Sequence, residues 1–192
     1  MQKEDTLIKE YLAIEYEKCA IDPVYFIKNY CYIQHPIRGK IPFKLWPFQE
    51  KVLLELITHK KNIINKSRQL GISWLSSAYS VWLTQFKNDK NILVIATKES
   101  VAKNIIHKFS YIYKYLPDWI RTKRVDDNKF SQGFANNSKI TAIATTEDAG
   151  RSEALSLLII DECVAGDTKI TIKNKNTNEI RYINIEELYK IL

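Results

Sequence analysis

The run Leu155-Ser156-Leu157-Leu158-Ile159-Ile160-Asp161-Glu162 is apolar on both faces and ends in two adjacent carboxylates. A strand of that character is expected inside a parallel sheet, where helices cover both faces and the usual alternation of polar and apolar residues is lost. Ligand sites of open α/β sheets form beyond the C-terminal ends of the strands, which is where Asp161 and Glu162 fall. The chain then changes character at once, into Cys163-Val164-Ala165-Gly166-Asp167-Thr168-Lys169-Ile170.

Working back from that strand, residues 62–65 and 91–96 read as buried strands, with helices expected over about 73–86 and 100–115 and a further strand over 139–144. This alternation predicts an α/β fold built on βαβ units around a parallel sheet. Upstream, Leu7, Tyr11, Leu12 and Ile14, and then Val24, Phe26, Ile27 and Tyr30, recur at helical spacing on either side of Asp22-Pro23. Pro36, Gly39, Pro42 and Pro47 break the pattern before another helix from about Trp46 to Thr58. Downstream, strand-like runs at 168–173 and 179–183 flank a polar turn, and a short helix is expected over 185–191, with Asn184 and Glu187 spaced as a cap. Three parts follow: an N-terminal helical region, residues 1–60; an α/β core, 61–162; and an appended small unit, 163–192.

Of 192 residues 45% are hydrophobic, enough for a core, and the formal net charge of +7 suits a polyanionic partner or simply a surface of solvated lysines. No apolar run approaches the ~18 residues that span a bilayer, and the start Met1-Gln2-Lys3-Glu4-Asp5 lacks signal-peptide architecture, so a cytoplasmic protein is expected. The three cysteines, Cys19, Cys31 and Cys163, have neither metal-ligand spacing nor the even number of a disulfide framework.

Lys66-Ser67-Arg68-Gln69-Leu70-Gly71-Ile72-Ser73 lies where a strand should turn into a helix, so backbone N–H groups and the helix N-terminus can hold phosphate. Against the pattern G-x-x-x-x-G-K-[ST], Gly71 and Ser73 match, Lys66 replaces the first glycine and Ile72 replaces the lysine. The cation for the β- and γ-phosphates is then Lys66 or Arg68, approaching from the other end of the loop, and Ser73 is the hydroxyl ligand for Mg²⁺. Asp161 can hold the same Mg²⁺ while Glu162 orients and deprotonates the attacking water. Gly150-Arg151-Ser152 offers a further cation or a solvated loop.

On these residues the stretch from about 43 to 162 resembles the ATPase domain of the large terminase subunit of tailed bacteriophages. Ser67-Arg68-Gln69-Leu70-Gly71, preceded by the displaced Lys66, is similar to that family's loop in the variant without a lysine after the glycine. Trp46-Pro47-Phe48-Gln49 resembles its adenine-contacting segment, in which Gln49 would read the base; without the resemblance Gln49 is a helix-start glutamine. The resemblance implies a RecA-like P-loop core, ATP and Mg²⁺ as cofactors, double-stranded DNA with portal and small terminase as partners, no membrane, and the cytoplasm of a phage-infected cell as the location. A nuclease domain belonging to the family is not in these 192 residues.

Cys163 to Ile170 resembles the first sequence block of inteins, with Gly166, Asp167 and Thr168 shaping the site, and Ile183-Asn184-Ile185-Glu186-Glu187-Leu188 stands where the next apolar and acidic stretch belongs. That resemblance implies a Hint-type, hairpin-containing fragment whose splice junction is Glu162–Cys163, with the Cys163 thiol attacking the Glu162 carbonyl. A free thiol with pKa about 8.5 is a usable nucleophile once a base takes its proton. His35, His59 and His107 all precede Cys163, so the histidine blocks that assist inteins are missing and splicing would need a complementary C-terminal intein fragment, fused to the terminase remainder, on a second chain. The expectation is therefore the N-terminal half of a terminase ATPase joined to an atypically split intein. The alternatives are a complete small P-loop ATPase or helicase-like domain without splicing, and a non-catalytic DNA-binding module.

Overall fold

The computed structural model describes residues 2–67, 69–145, 154–161, 169–173 and 180–184, and resolves into two compact units, Met1–Asp161 and Glu162–Leu192. Each is taken by itself.

In the larger unit, α1 (Gln2–Ile21) and α2 (Pro23–Tyr30) are separated at Asp22. The Asp22 carboxylate accepts from the backbone N–H groups of Val24 (2.8 Å) and Tyr25 (3.1 Å), and Pro23 takes the first helical position, where its missing N–H costs nothing. The region broken by Pro36 and Gly39 is not merely irregular. It forms a hairpin, β1 (Tyr32–His35) against β2 (Gly39–Pro42), turned with Gly39 at φ 67°. The expected helical region thus also holds a hairpin where its pattern breaks, since four-residue strands are too short for periodicity to reveal. Helix α3 (Pro47–Thr58) follows.

Next come α4 (Ile72–Phe86), β3 (Asn91–Ala96), α5 (Glu99–Lys114), β4 (Arg124–Asp127), β5 (Ser131–Phe134), β6 (Lys139–Ala144) and β7 (Leu157–Asp161). The sheet order is β4-β5-β6-β3-β7. Strands β6, β3 and β7 are parallel, whereas β4 and β5 add antiparallel pairings, so the expected parallel sheet is a mixed one. The antiparallel extension was hidden because Arg124-Val125-Asp126-Asp127 is mostly exposed and carries no apolar run. The most buried strand is β3, with Ile92, Val94 and Ala96 fully buried and Leu93 nearly so.

Helices α4 and α5 pack on each other and on the sheet, burying Leu75, Ala78 and Val81 of the first and Phe109 and Ile112 of the second. The indole N–H of Trp82 on α4 donates to the carbonyl of Cys19 (2.8 Å), tying α1 to the same core. Sequence periodicity placed these helices and β3, β6 and β7 to within a few residues.

Two expectations near the site are corrected. Residues 62–65 form no strand: they enter no ladder, and Ile63 is 74% exposed. Among the described residues the strand at 157–161 is the last of its sheet, with Leu157 and Ile159 packed on the core while Leu158 and Ile160 are 47% and 58% exposed. Local composition sets a preference for extended structure, but a ladder also needs a neighbour to accept its hydrogen bonds.

The smaller unit contains an antiparallel hairpin of β8 (Lys169–Lys173) and β9 (Ile180–Asn184), in register Lys169↔Asn184 through Lys173↔Ile180. The helix expected over 185–191 lies outside the described residues. Among the described residues no helix is long and apolar enough to cross a membrane.

Candidate functional site

The ends of β3, β6 and β7 come together at one edge of the sheet, Ala96 pairing with Ala144 on one side and Asp161 on the other. This is the C-terminal end of all three parallel strands, the position at which such sheets bind ligands. Helix α4 begins against that end. Its first turn carries Ser73, whose hydroxyl donates to the Asp161 carboxylate at 2.9 Å across 88 positions of sequence. Two residues picked out from separate motifs are thus in direct contact.

The loop before α4 is shaped by backbone geometry. Gln69 (φ 63°) and Gly71 (φ 70°) both adopt the left-handed conformation, which costs a residue with a Cβ about 1–2 kcal/mol. At Gly71 a Cβ would also stand 2.8 Å from Nε2 of Gln49. Gly71 is the N-cap of α4, and no side chain caps the helix there. The N-terminal N–H groups of an uncapped helix, together with its dipole, make a site for an anion.

Gln49 is 5% exposed, and both atoms of its amide are engaged. Its Oε1 accepts from the Trp46 backbone N–H (3.0 Å) and its Nε2 donates to the Leu70 carbonyl (3.0 Å). Read in the sequence as a base reader, Gln49 joins the start of α3 to the loop. Sequence reasoning missed this link, whose only trace was the position of Gln49 three residues after Trp46, where a glutamine can reach back to a helix start. Beside it, Trp46 and Phe48 are exposed aromatic rings 5.5 Å apart.

The other loop residues are accessible: Lys66 is half-buried, and Ser67 and Gln69 are exposed. Arg68, Gly150-Arg151-Ser152, Glu162, Cys163, Gly166, Asp167 and Thr168 lie outside the described residues.

The Ser73–Asp161 pair fits a Mg²⁺ site on chemistry and spacing. Both donors are oxygen, as a hard cation requires, and adjacent ligands of an octahedron with 2.0–2.1 Å bonds stand about 2.9 Å apart. By contrast, Cys19 and Cys31 are free and buried. Burial pushes the Cys19 thiol up to about 12 and the Cys31 thiol well above its ordinary value. Both stay protonated at neutral pH and are poor nucleophiles.

No protein-family model matches the chain. Among solved structures it is similar to the crystal structure of the HK97 bacteriophage large terminase, with a TM-score of 0.56 and 15% sequence identity. The match covers 73% of this chain and 37% of that one, so the chain spans well under half the length of the structure it resembles. At this identity the likeness is one of fold: an α/β architecture with a mixed, terminase-like sheet.

Proposed function

We propose that residues 1–162 are the N-terminal half of a DNA-packaging terminase ATPase, and that residues 163–192 are a split-intein N-fragment that joins this half to its remainder. The observation that carries the ATPase reading is the 2.9 Å contact between Ser73 and Asp161, at the start of an uncapped helix and the end of a parallel strand. The terminase-like fold supports it independently.

Bound there, Mg²⁺ would neutralise developing charge on ATP phosphates. Ser73 and Asp161 would hold the ion, and the loop N–H groups with Ser67 and Gln69 would cradle the phosphates. Lys66 would supply the cation for the β- and γ-phosphates, with Arg68 as the alternative. Gln49 holds the loop to α3, and Glu162 would take the proton of the attacking water. Double-stranded DNA is the substrate track this reading implies.

The splicing reading is supported by the sequence of 163–170, the unit boundary after Asp161 and the hairpin of the smaller unit. In its first step the Cys163 sulfur attacks the Glu162 carbonyl carbon. The Glu162–Cys163 C–N bond breaks, a thioester forms, and the thiol proton passes to the freed Cys163 amine. The missing histidines would come from the complementary chain.

Co-expression of the chain with candidate C-terminal intein fragments fused to a terminase remainder tests both parts. A ligated polypeptide lacking 163–192 is expected, and Cys163→Ala should abolish it; ligation by the Ala variant, or none by the parent, refutes splicing. Separately, Mg²⁺-dependent ATP binding by the ligated product should fall about 10-fold or more in Lys66→Ala and Ser73→Ala, as expected for loss of a charge-assisted contact. Unchanged affinity in both would refute the site.

A further inference from the structure

The side chain of Gln49 bridges two parts of the larger unit. Its Oε1 accepts from the backbone N–H of Trp46, the N-cap of α3, and its Nε2 donates to the Leu70 carbonyl, both at 3.0 Å. Leu70 stands between Gln69 and Gly71, the two left-handed residues of the loop, so this one amide fixes the carbonyl in the middle of the loop's least favourable backbone. On the Gly71 side the fit is close, since a Cβ there would stand 2.8 Å from Nε2. The three residues before Gln49, Trp46, Pro47 and Phe48, are exposed and apolar.

We propose that Gln49 is a positioning residue for the phosphate loop and reads no base, so that the site takes nucleoside triphosphates as a class, adenine and guanine alike. The substrate class rests on the ATPase reading; the positioning role rests on the fold alone.

An amide selects adenine by a paired contact, its oxygen accepting from the N6 amino group and its nitrogen donating to N7. With 5% of Gln49 exposed, the lone pair and N–H that its two bonds leave over present almost no surface to a ligand. Turning the amide outward would break the bonds to Trp46 and Leu70, so two backbone hydrogen bonds are lost for two gained at the base and little net selectivity results. The turn would also release the loop just when phosphate is to be held there. Guanine carries an acceptor at O6 where adenine has its amino donor, so telling them apart needs a hydrogen-bonding group that faces the base. Aromatic rings supply none. Stacking on Trp46 and Phe48 holds either purine, since every base has a π-face. The phosphates and their Mg²⁺, common to all these substrates, carry the rest of the binding through Ser73, Asp161 and the loop.

Calorimetric titration of the full chain with Mg²⁺ and ATP, GTP or inorganic tripolyphosphate tests this. ATP and GTP should bind within about 10-fold of each other, far from the rejection shown by sites that hydrogen-bond the distinguishing group; a larger preference for ATP overturns the substrate class. In Gln49→Met and Gln49→Glu all three affinities should fall together, by about 10-fold. The amides of 69–72 should then exchange faster with deuterium while those of α5 keep the parent's rates. A loss confined to ATP makes Gln49 the base reader and overturns the positioning role, as does parent-like exchange at 69–72 in both variants. Trp46→Ala with Phe48→Ala should weaken ATP and GTP equally and leave tripolyphosphate unchanged; unaltered nucleotide affinity overturns the stacking. Should none of the three ligands bind the parent, the ATPase reading falls and the substrate class with it, while exchange at 69–72 still decides the role of Gln49. The ATP-to-GTP ratio is read on the parent and needs no variant to fold.

Discussion

Single residues hold the site loop in place. Gly71 combines a left-handed backbone with a Cβ position already occupied by the Gln49 amide. Gly71→Ala should cost about 1–2 kcal/mol of stability from the backbone alone, and it should also loosen the loop by displacing a side chain bonded at both ends; thermal unfolding and nucleotide affinity would register the two effects. Far from the site, Glu15 is 3% exposed between α1 and α2. A hydrogen bond from the Tyr25 hydroxyl holds its carboxyl below the usual range against the opposing pull of burial, helped by Tyr30 (2.9 Å) and Lys18 (3.2 Å). Since folding lowers this pKa, the stabilisation is complete above the unfolded value of about 4.3 and disappears as pH falls through the lower folded value. Glu15→Gln should therefore flatten the acid limb of a stability profile below about pH 4.3, and an unaltered limb would show that other carboxylates set it.

At the scale of elements, β7 carries the sharpest contrast. Ile159 packs on the core and Ile160 is 58% exposed, one residue apart on opposite faces. Ile159→Ala should cost about 2 kcal/mol or more in the unligated chain, and Ile160→Ala less than about 0.5 kcal/mol, measured by urea unfolding. Equal losses would mean that both faces are already covered. Helices α4 and α5 and strand β3 were legible because their apolar spacing and their burial coincide: Leu75, Ala78 and Trp82, or Ile105, Phe109 and Ile112, repeat every three or four residues and all face the core. The β1–β2 hairpin and the β4–β5 extension were not, since each strand is only four residues long and, β5 apart, none is buried. Their pairing arises from turns and neighbours instead of a hydrophobic period.

For the whole molecule, two compact units meet after Asp161, one residue before the proposed splice junction. The proposed ATPase would have its metal-binding pair assembled before ligation, through Ser73 and Asp161, but would lack the remainder of the core that ligation supplies. The unligated chain should then bind nucleotide weakly and hydrolyse ATP at a negligible rate, while the ligated product turns over, as a coupled phosphate-release assay would record. Full activity in residues 1–192 alone would remove the dependency.

What the sequence determined by itself was the alternation of elements, the acidic strand end and the change of character at Cys163, because each is written in neighbouring residues and local periodicity. Only the tertiary structure decided that Ser73 meets Asp161, that Gln49 ties α3 to the loop, that the sheet is mixed, and that residues 62–65 stand outside its ladders. Contacts between residues 21 or 88 positions apart depend on how elements pack, and a strand exists only where another strand accepts its hydrogen bonds.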